Sequence, residues 1–540
     1  MMRPEPASTA AGITRGAVVI AGLTVVARLL GLVRTLVFSQ AIGANCLGAA
    51  YVTANQVPNL IYELVLGGAL TSAMVPVLAR SAERAGHDPE DQARVSQISS
   101  ALLTWSVLIL VPIALIVAAA AGPIASLLNP VNANAGCAHS DMVAVTRNMV
   151  EVFAPQVVLY GLSVVLFGVL QAYRRFAAQT LAPAVASVLL IASYLVFVPL
   201  DKGRPLSRVP LAAELVLSVG ATLGIAILVL MVVVPVWRLR LRLRPALRFP
   251  PGVARRTGGM AMVGFIEVVA SDLNAVVAIE LANGRGVTGA IVIYNYSWQV
   301  FSAVLSVLAM SIVVSTFPVL SARDGTEFDR TCAGSTRAVL LVSWLGTAVI
   351  AAIAVPTAHV LAKRPDQVPQ LIEAFVLFAP GIAGMAVIAN LSRVMFVIGR
   401  LKVAAYAVSG SWLAVITAQV VLAELVPARL VVAALVLGFT IGQTVSAVPL
   451  VIVTRRICGP AAMAGFGHGT AAGLAAGAAG SAIGVAVSLA VPISGKLVAA
   501  GLAVLAAVLA ICAFLVVAYL LDRGDLKAIA GRLRRLRAPA

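Results

Sequence analysis

The segment GAVVIAGLTVVARLLGLVRTLVFS at residues 16–39 decides the fold class, because it is long and apolar enough to cross a bilayer as one helix. Two arginines, Arg28 and Arg34, lie inside it. A charge at that depth costs about 3 kcal/mol or more unless it faces a polar cavity or a partner. We therefore predict that both arginines line a polar path through the membrane and that the path accepts an anion.

Composition extends this interpretation to the whole chain. Of the 540 residues, 61% are hydrophobic and only 11% are charged, and apolar runs of about 20 residues recur along the length. The net charge of +18 would indicate nucleic-acid binding in a soluble protein. Here the basic residues cluster in short connections between apolar runs, where membrane topology explains them. We therefore expect a polytopic membrane protein and no nucleic-acid partner.

The predicted fold is all-α, with about 14 transmembrane helices in two six-helix parallel-repeat lobes around a central cavity. The lobes cover residues 1–250 and 251–460, and residues 461–540 hold two further helices and a basic cytoplasmic tail. The predicted spans are 16–39, 49–79, 97–121, 148–172, 178–200, 209–237, 257–282, 287–317, 338–361, 371–399, 403–426, 430–453, 469–491 and 497–521.

The distribution of lysine and arginine predicts the orientation. One set of alternate connections carries 27 of these residues and the opposite set carries nine, with Arg28, Arg34 and Arg393 inside spans. Because basic loops stay in the cytoplasm, both termini are predicted to be cytoplasmic, which requires an even number of spans.

Two short motifs recur at an offset of six spans. SAMVPVLAR at 72–80 resembles STFPVLSAR at 315–323, and the Phe-Ala-Pro of 153–155 recurs at 378–380. An offset of six preserves orientation, so the motifs favour two parallel lobes, although short apolar motifs also recur by chance.

A polar stripe runs along the second span. Asn55, Asn59 and Glu63 are four residues apart and therefore lie on one helix face, which we expect to line the cavity. A helical rise of about 1.5 Å per residue brings Arg28 and Glu63 to similar depth. An Arg28–Glu63 pair would either only neutralise two buried charges or hold the guanidinium until an anionic substrate competes for it.

Polar residues in the second lobe are candidates for coupling or for the other cavity wall. Glu267 and Asp272 can bind a coupling cation or proton, or pair with arginines of the first lobe. Asn295 and Ser297 open the eighth span. Arg393 lies near a span end, so we favour snorkelling to the interface over a place in the cavity.

The cysteines, histidines and loops show no catalytic or metal-binding pattern. There is no nucleotide-binding loop, and the four histidines lack ligand spacing, so we expect a transporter without a cofactor and not an enzyme. Cys46 and Cys137 both fall on the predicted external side. A disulfide between them is an alternative, but we favour cysteines that are small apolar fillers.

Two further features concern packing and lipid contact. Glycines at 473, 477, 480 and 484 let another helix approach the thirteenth span closely. The basic run RLRLRLRPALR at 238–248 can lie against anionic lipid headgroups or simply anchor the topology.

The segments ARLLGLVRTLVFSQAIGA (27–44) and VPNLIYELVLGGALTSAMVPVLA (57–79) resemble the MurJ/MviN lipid II flippases of the multidrug/oligosaccharidyl-lipid/polysaccharide exporter superfamily. The likeness is specific over about fifty residues and extends more weakly to the whole layout. It implies that Arg28 and Arg34 contact the pyrophosphate of a lipid-linked precursor. The chain departs from the family pattern at Ala49, where an acidic residue is common, at Tyr62-Glu63, where many relatives have an arginine pair, and at Ser297, where a cavity arginine is expected.

The resemblance implies a function as well. It implies flipping of lipid II across the bacterial cytoplasmic membrane by alternating access, driven by the membrane potential or by a monovalent cation, for peptidoglycan and cell-shape maintenance. Membrane lipids and proteins of cell-wall synthesis or division are the implied partners. The alternatives are export of another polyprenyl-linked oligosaccharide, cation-coupled efflux, and a role as a scaffold or glycosyltransferase.

Overall fold

The computed structural model describes residues 8–65, 89–132, 136–173, 175–239, 241, 243–247 and 258–524, and within these ranges the chain is helical without strands. The helices are α1 (Ser8–Ala41), α2 (Cys46–Val65), α3 (Pro89–Ala119), the short α4 (Ala121–Leu128), α5 (His139–Ala172), α6 (Phe176–Asp201), α7 (Leu211–Trp237), α8 (Gly258–Arg285), α9 (Ala290–Ser321), α10 (Gly325–Leu361), α11 (Gln367–Val397), α12 (Leu401–Leu425), α13 (Val431–Cys458), α14 (Phe466–Ala490) and α15 (Lys496–Leu521). A π-turn at Ser306–Met310 interrupts α9, and Ala379 and Pro380 interrupt α11.

The chain is a multi-pass membrane protein. Eleven helical segments within the described ranges are long and apolar enough to cross a membrane. Each of the fourteen predicted spans overlaps one long helix, but α1, α2 and α8 are not among the eleven, so the count of fourteen stays a prediction. The predicted lobe boundary near residue 250 and the motif at 72–80 lie outside the described residues.

Packing groups the helices in chain order. Helices α1 to α7 pack mainly on one another and are called the first bundle. Helices α8 to α13 also pack on one another and are called the second bundle, and α10 packs in addition, and most extensively, on α14 and α15. The bundles meet where α2 contacts α8 and α9, where α4 contacts α8, and where α1 contacts α10. The Phe-Ala-Pro motif lies in α5 and in α11, and both of its phenylalanines, Phe153 and Phe378, are fully buried. Their prolines cannot donate a backbone hydrogen bond, so each motif sits at a weak point of its helix.

The glycine face of α14 packs tightly on the second bundle. A Cβ on Gly473 would lie 2.7 Å from the Trp344 ring, and one on Gly484 would lie 2.2 Å from Cβ of Ala352. Both partners belong to α10. The glycine spacing therefore serves helix packing, as the sequence predicts, and it joins α14 and α15 to α10.

A disulfide joins Cys46 at the start of α2 to Cys137 before α5. The prediction that these cysteines are separate fillers is wrong, because folding brings their Cα atoms to 5.9 Å across 91 residues of sequence. We call this end of the molecule the disulfide end. It contains the α1–α2, α8–α9 and α10–α11 connections.

The bundles are fastened together at the disulfide end by hydrogen bonds to the backbone. Lys363 Nζ donates to the carbonyl of Ala41 (2.9 Å), and Gln367 Nε2 donates to that of Ala44 (2.9 Å). Burial lowers the pKa of Lys363, while nearby Asp201 raises it. We call these contacts, which join the α1–α2 connection to residues 363–367, the latch.

Close backbone approach completes the closure at this end. Gly289 has φ +80°, and a Cβ there would lie 2.5 Å from the carbonyl carbon of Ala44. The Gly136 N–H donates to Oγ1 of Thr288 (2.9 Å), and Asn132 Nδ2 donates to the Asn283 carbonyl (2.7 Å). The loop that carries Cys137 therefore rests on the second bundle.

Part of the basic run lies along α3. Backbone N–H groups of Arg244 and Ala246 donate to the hydroxyls of Ser100 and Thr104, each at 3.1 Å. Trp105 Nε1 donates to the Leu247 carbonyl, also at 3.1 Å. These bonds hold residues 243–247 against a predicted span, and the exposed side chains there remain free to meet lipid.

Candidate functional site

A polar cavity of about 230 Å³ lies where the two bundles meet. Its walls come from α1, α2, α5, α6 and α7 of the first bundle and from α9 of the second. The lining residues are Arg34, Thr35, Phe38, Tyr51, Val52, Asn55, Gln56, Asn59, Gln156, Tyr160, Leu190, Tyr194, Ala221, Ile225, Asn295, Tyr296 and Gln299. Most of the polar groups in this lining are uncharged amides and hydroxyls.

Arg34 is the only charged residue in this lining. It lies about 10 Å below the end of α1 at the disulfide end, by the rise of about 1.5 Å per residue. Within the described part of the chain it has no ion pair, and it is close enough to Tyr51, Tyr160 and Tyr194 to interact electrostatically with each. A guanidinium without a carboxylate partner, surrounded by neutral donors, is suited to bind an anionic ligand.

Arg28 occupies a different environment from Arg34. It is exposed, does not line the cavity, and forms no ion pair with any described residue. Of the two arginines predicted to line a polar path, only Arg34 therefore lines this cavity, and the place of Arg28 on such a path stays a prediction. The two are six residues apart, so they differ by about 240° around the helix at 3.6 residues per turn and point in different directions.

Side-chain hydrogen bonds order the cavity wall. Tyr160 OH donates to Asn59 Oδ1 (3.0 Å), which links α5 to α2. Thr35 Oγ1 donates to Gln299 Oε1 (2.5 Å), and Gln299 Nε2 donates to Asn295 Oδ1 (2.6 Å). The bond from Thr35 to Gln299 crosses from the first bundle to the second. Movement of the bundles relative to one another would therefore change the cavity lining directly.

The predicted stripe on α2 divides between two environments. Asn55 and Asn59 line the cavity, as their spacing predicts. Glu63, one turn further, does not line it and is close enough to Asp272 on α8 to interact electrostatically with it. An Arg28–Glu63 pair does not form among the described residues. Similar depth did not make these two residues partners, because depth along an axis leaves the facing direction of the helix open.

The second bundle supplies the cavity with Asn295 but not with Ser297. Ser297 is buried and donates to the carbonyl of Ile293 in its own helix (3.0 Å), so its assignment to the cavity is wrong. Arg393 is half-buried, and its electrostatic partner is Glu267 on α8. Its Nη1 is buried without a hydrogen-bond partner among the described residues, and the favoured snorkelling to the interface stays a prediction.

Several residues that line the cavity were not predicted from the sequence. Gln156 and Tyr160 follow Pro155 on one face of α5, and this polar pair next to a helix-weakening proline is a signal that could have found them. Thr35 carries no such signal, because a single threonine in a span is common, whereas Gln299 belongs to the polar start of the predicted eighth span.

Comparisons with known proteins agree with this architecture. The family model described as "Lipid II flippase MurJ" matches residues 38–522. A curated relative, "Lipid II flippase MurJ" of Burkholderia cenocepacia, is 27% identical over 310 residues, which is 57% of each chain. The chain therefore spans somewhat over half the length of this relative. A "Probable lipid II flippase MurJ" of Haemophilus influenzae is 42% identical over 57 residues, 11% of each chain.

Solved structures show the same fold at low sequence identity. "Lipid II flippase MurJ, inward closed conformation" superposes with a TM-score of 0.72 at 14% identity and covers 94% of this chain and 99% of that one. An inward-facing multidrug resistance MATE family transporter of the MOP superfamily gives a TM-score of 0.61 at 14% identity, over 82% and 97% of the two chains. Because the family model covers most of the chain, from before the end of α1 to the last described residues, the protein belongs to the lipid II flippase MurJ family.

Proposed function

We propose that this protein moves lipid II from the inner to the outer leaflet of a bacterial cytoplasmic membrane by alternating access. Family membership supports the substrate, and the cavity at the junction of the bundles supports the mechanism. The observation that carries the proposal is Arg34, a guanidinium without an ion pair in the described structure, inside a cavity lined by amides and hydroxyls. A pyrophosphate is the anionic part of lipid II that such a site would bind.

Charged and neutral side chains in the cavity would have different roles in binding the substrate. Arg34 would supply a bidentate, charge-assisted contact to a phosphate. Asn55, Asn59 and Asn295 would supply neutral donors around it. Neutral donors bind an anion without the repulsion that would accumulate among several arginines, so the substrate can also leave. Arg28 would contact the lipid headgroup in another conformation of the protein, as the headgroup enters or leaves the cavity.

The proposed orientation places the disulfide end outside and both termini in the cytoplasm. The excess of basic residues in alternate connections supports it. A disulfide at the proposed outer end supports it independently, because disulfides persist outside the cytoplasm and rarely inside it. In this orientation the latch closes the outer side.

The membrane potential is the proposed source of energy. Moving one charge across the membrane changes its free energy by about 2.3 kcal/mol per 100 mV. A bacterial membrane is negative inside, so outward movement of an anionic headgroup is electrically favourable. No nucleotide hydrolysis is needed in this mechanism.

The test is depletion of the protein followed by complementation, with externally accessible lipid II as the measurement. We expect Arg34→Ala to abolish complementation and Arg34→Lys to restore part of it, because lysine keeps the charge but not the bidentate geometry. Arg147→Ala is the matched control, since Arg147 forms an exposed ion pair with Glu151 away from the cavity.

Two outcomes would contradict the proposal. Unchanged external lipid II after depletion would favour another polyprenyl-linked oligosaccharide or a cation-coupled efflux substrate. Normal lipid II transport by Arg34→Ala at normal protein level would show that Arg34 does not recognise the substrate.

A further inference from the structure

A groove lies where the connection between the two bundles runs along α3. Residues 238–257 join α7 to α8, and 243–247 are the part of this connection that lies on α3. The groove has a volume of about 440 Å³ and shares no lining residue with the polar cavity. Its lining residues are Ser100, Leu103, Thr104, Val107 and Leu108 of α3 and Leu243, Arg244 and Pro245 of the connection.

Hydrogen bonds to α3 fix the connection at this place. The backbone N–H groups of Arg244 and Ala246 donate to hydroxyls of α3, and the Trp105 indole donates to the Leu247 carbonyl. A connection that only anchors the topology can leave such backbone groups to water. All three bonds use backbone groups of the connection, so the exposed side chain of Arg244 takes no part in them and stands beside the groove.

The connection is strongly basic. It carries seven arginines between residues 238 and 256 and no aspartate or glutamate. Arg238 and Arg244, which lie in the described part of the connection, are exposed and form no ion pair with a described residue. Clusters of basic residues next to a membrane-spanning helix attract anionic lipid headgroups, and a guanidinium can make two parallel hydrogen bonds to a phosphate.

The α3 wall of the groove is apolar and matches a lipid chain. Val107 and Leu108 are exposed, although α3 is long and apolar enough to cross a membrane. Val111 and Leu115 follow Val107 at intervals of four residues, so they continue the same helix face, and both are also exposed. From Thr104 to Leu115 this face is about 16 Å long. That length is close to half of the hydrocarbon core of about 30 Å, so the face matches the chain region of one leaflet.

Exposed tryptophans indicate the depth of the groove in the membrane. Trp105 lies next to the groove residue Thr104, and Trp237 is the last residue of α7, just before the connection. Tryptophan is enriched where a bilayer meets water. The end of the groove that carries Arg244 therefore lies near the headgroups, which the long arginine side chain can reach.

We propose that this groove binds one anionic phospholipid of the cytoplasmic leaflet. Arg244 holds the phosphate, and one acyl chain lies against Val107, Val111 and Leu115. The choice of leaflet rests on the proposed orientation, in which the connection is cytoplasmic. A lipid at this site holds the connection against α3, so the lipid composition of the membrane acts on the segment that links the two bundles.

The first measurement is lipid binding by the full-length protein. The protein in detergent micelles is titrated with phosphatidylglycerol or with zwitterionic phosphatidylcholine of the same chains, and bound lipids are counted by native mass spectrometry. We expect one phosphatidylglycerol to bind more tightly than any phosphatidylcholine.

Arg244→Ala should weaken the binding of phosphatidylglycerol about fivefold, the effect of losing one base near an anionic headgroup. The variant keeps the backbone N–H that donates to Ser100, so the connection stays on α3. Arg400→Ala is the matched control. It removes the same charge from an exposed position of the second bundle, so the affinity should not change.

A second pair of variants tests the chain region. Val107→Trp fills the groove without changing the charge, so it should also weaken the binding of phosphatidylglycerol. Ile109→Trp is its control, because Ile109 is similarly exposed (51% against 41%) but two residues further along the helix, which places it on another side of α3. We expect Ile109→Trp to bind phosphatidylglycerol normally.

The second measurement follows the connection itself. Amide hydrogen exchange reports the opening of the N–H bonds that Arg244 and Ala246 make to α3. We expect slower exchange over residues 243–247 in nanodiscs that contain phosphatidylglycerol than in nanodiscs of phosphatidylcholine alone. This difference should be lost in Arg244→Ala.

Several results would overturn the proposal. These are equal affinity for the two phospholipids, equal affinities in Arg244→Ala and Arg400→Ala, normal binding by Val107→Trp, and an exchange rate that does not respond to phosphatidylglycerol. Displacement of bound phosphatidylglycerol by an equimolar polyprenyl phosphate would assign the groove to the substrate chain instead. None of these measurements uses lipid II, so a failure of the proposed substrate and a failure of this inference are distinguishable.

Discussion

Gln367 is the residue on which closure of the disulfide end most directly depends. It is 4% exposed and reaches from α11 to the α1–α2 connection, where its Nε2 donates to the buried carbonyl of Ala44. Its Oε1 accepts from the backbone N–H groups of Lys363 (3.1 Å) and Arg364 (3.3 Å). One side chain therefore both shapes the α10–α11 connection and fastens it to the first bundle.

Replacement of Gln367 by alanine should weaken the closed conformation by about 2 kcal/mol. A buried acceptor that loses its donor costs about 1 to 3 kcal/mol, and Ala44 is only 3% exposed. The freed N–H groups of Lys363 and Arg364 can reach water, because both residues are exposed, so they add little. A change of about 2 kcal/mol corresponds to about a 30-fold shift in the ratio of closed to open molecules.

The assay is labelling of the cavity from outside. Asn55→Cys, with the three free cysteines replaced by serine and the disulfide retained, is exposed to a membrane-impermeant maleimide added to spheroplasts. We expect Gln367→Ala to accelerate labelling about 30-fold, in proportion to the shift above. Gln370→Ala is the matched control, because its amide donates only to the carbonyl of Asp366 in its own helix (3.2 Å).

Equal labelling rates in Gln367→Ala and Gln370→Ala would refute the reasoning, since the bond to Ala44 would then not hold the outer side closed. Gln367→Glu separates the two functions of the side chain. It keeps acceptors for Lys363 and Arg364 but loses the donor to Ala44, so we expect it to open the outer side as well. A normal rate in Gln367→Glu would assign the effect to the shape of the α10–α11 connection instead.

Two further predictions concern stability and orientation. Gly484→Ala should lower the melting temperature of the detergent-solubilised protein, because the added Cβ would collide with Ala352 and overpacking costs about 1 to 3 kcal/mol. Gly501→Ala is the control: the space around Gly501 is open, so this change should be neutral or slightly stabilising. A normal melting temperature for Gly484→Ala would show that α14 can shift away from α10. Replacing Cys46 by serine should remove up to about 4.5 kcal/mol of chain-entropy stabilisation for the 91-residue loop. Free thiols at Cys46 and Cys137 in intact cells would contradict the proposed external position of this end.

The parts of the fold that were predicted well are those that depend on local composition. Long apolar segments gave the helices, because an unpaired backbone polar group in lipid is costly and a helix satisfies its groups within one segment. The Asn55 and Asn59 stripe was predicted because helical spacing alone puts them on one face. Arg34 was predicted because a charge in a span requires a polar environment.

The side-chain partners that were predicted incorrectly depend on how each helix is rotated about its axis and on which neighbouring helix each of its faces contacts. Arg28 and Glu63 have similar depth, yet the electrostatic neighbour of Glu63 is Asp272 from the other bundle. Ser297 belongs to a polar stretch of α9, but its neighbour Asn295 faces the cavity. Rotation by one residue changes the facing direction by about 100°, and no local pattern fixes that rotation when a helix is polar on more than one side.

The amino-acid sequence alone determined that this protein is a helical membrane protein with a guanidinium inside its first span, because hydropathy and the cost of a buried charge act within one segment. Only the tertiary structure decided the partners: the disulfide, the latch and the single arginine of the cavity. Each of these features depends on residues far apart in the chain. Whether such residues meet depends on helix rotation and packing, which are set by contacts between segments and are not encoded in any single segment.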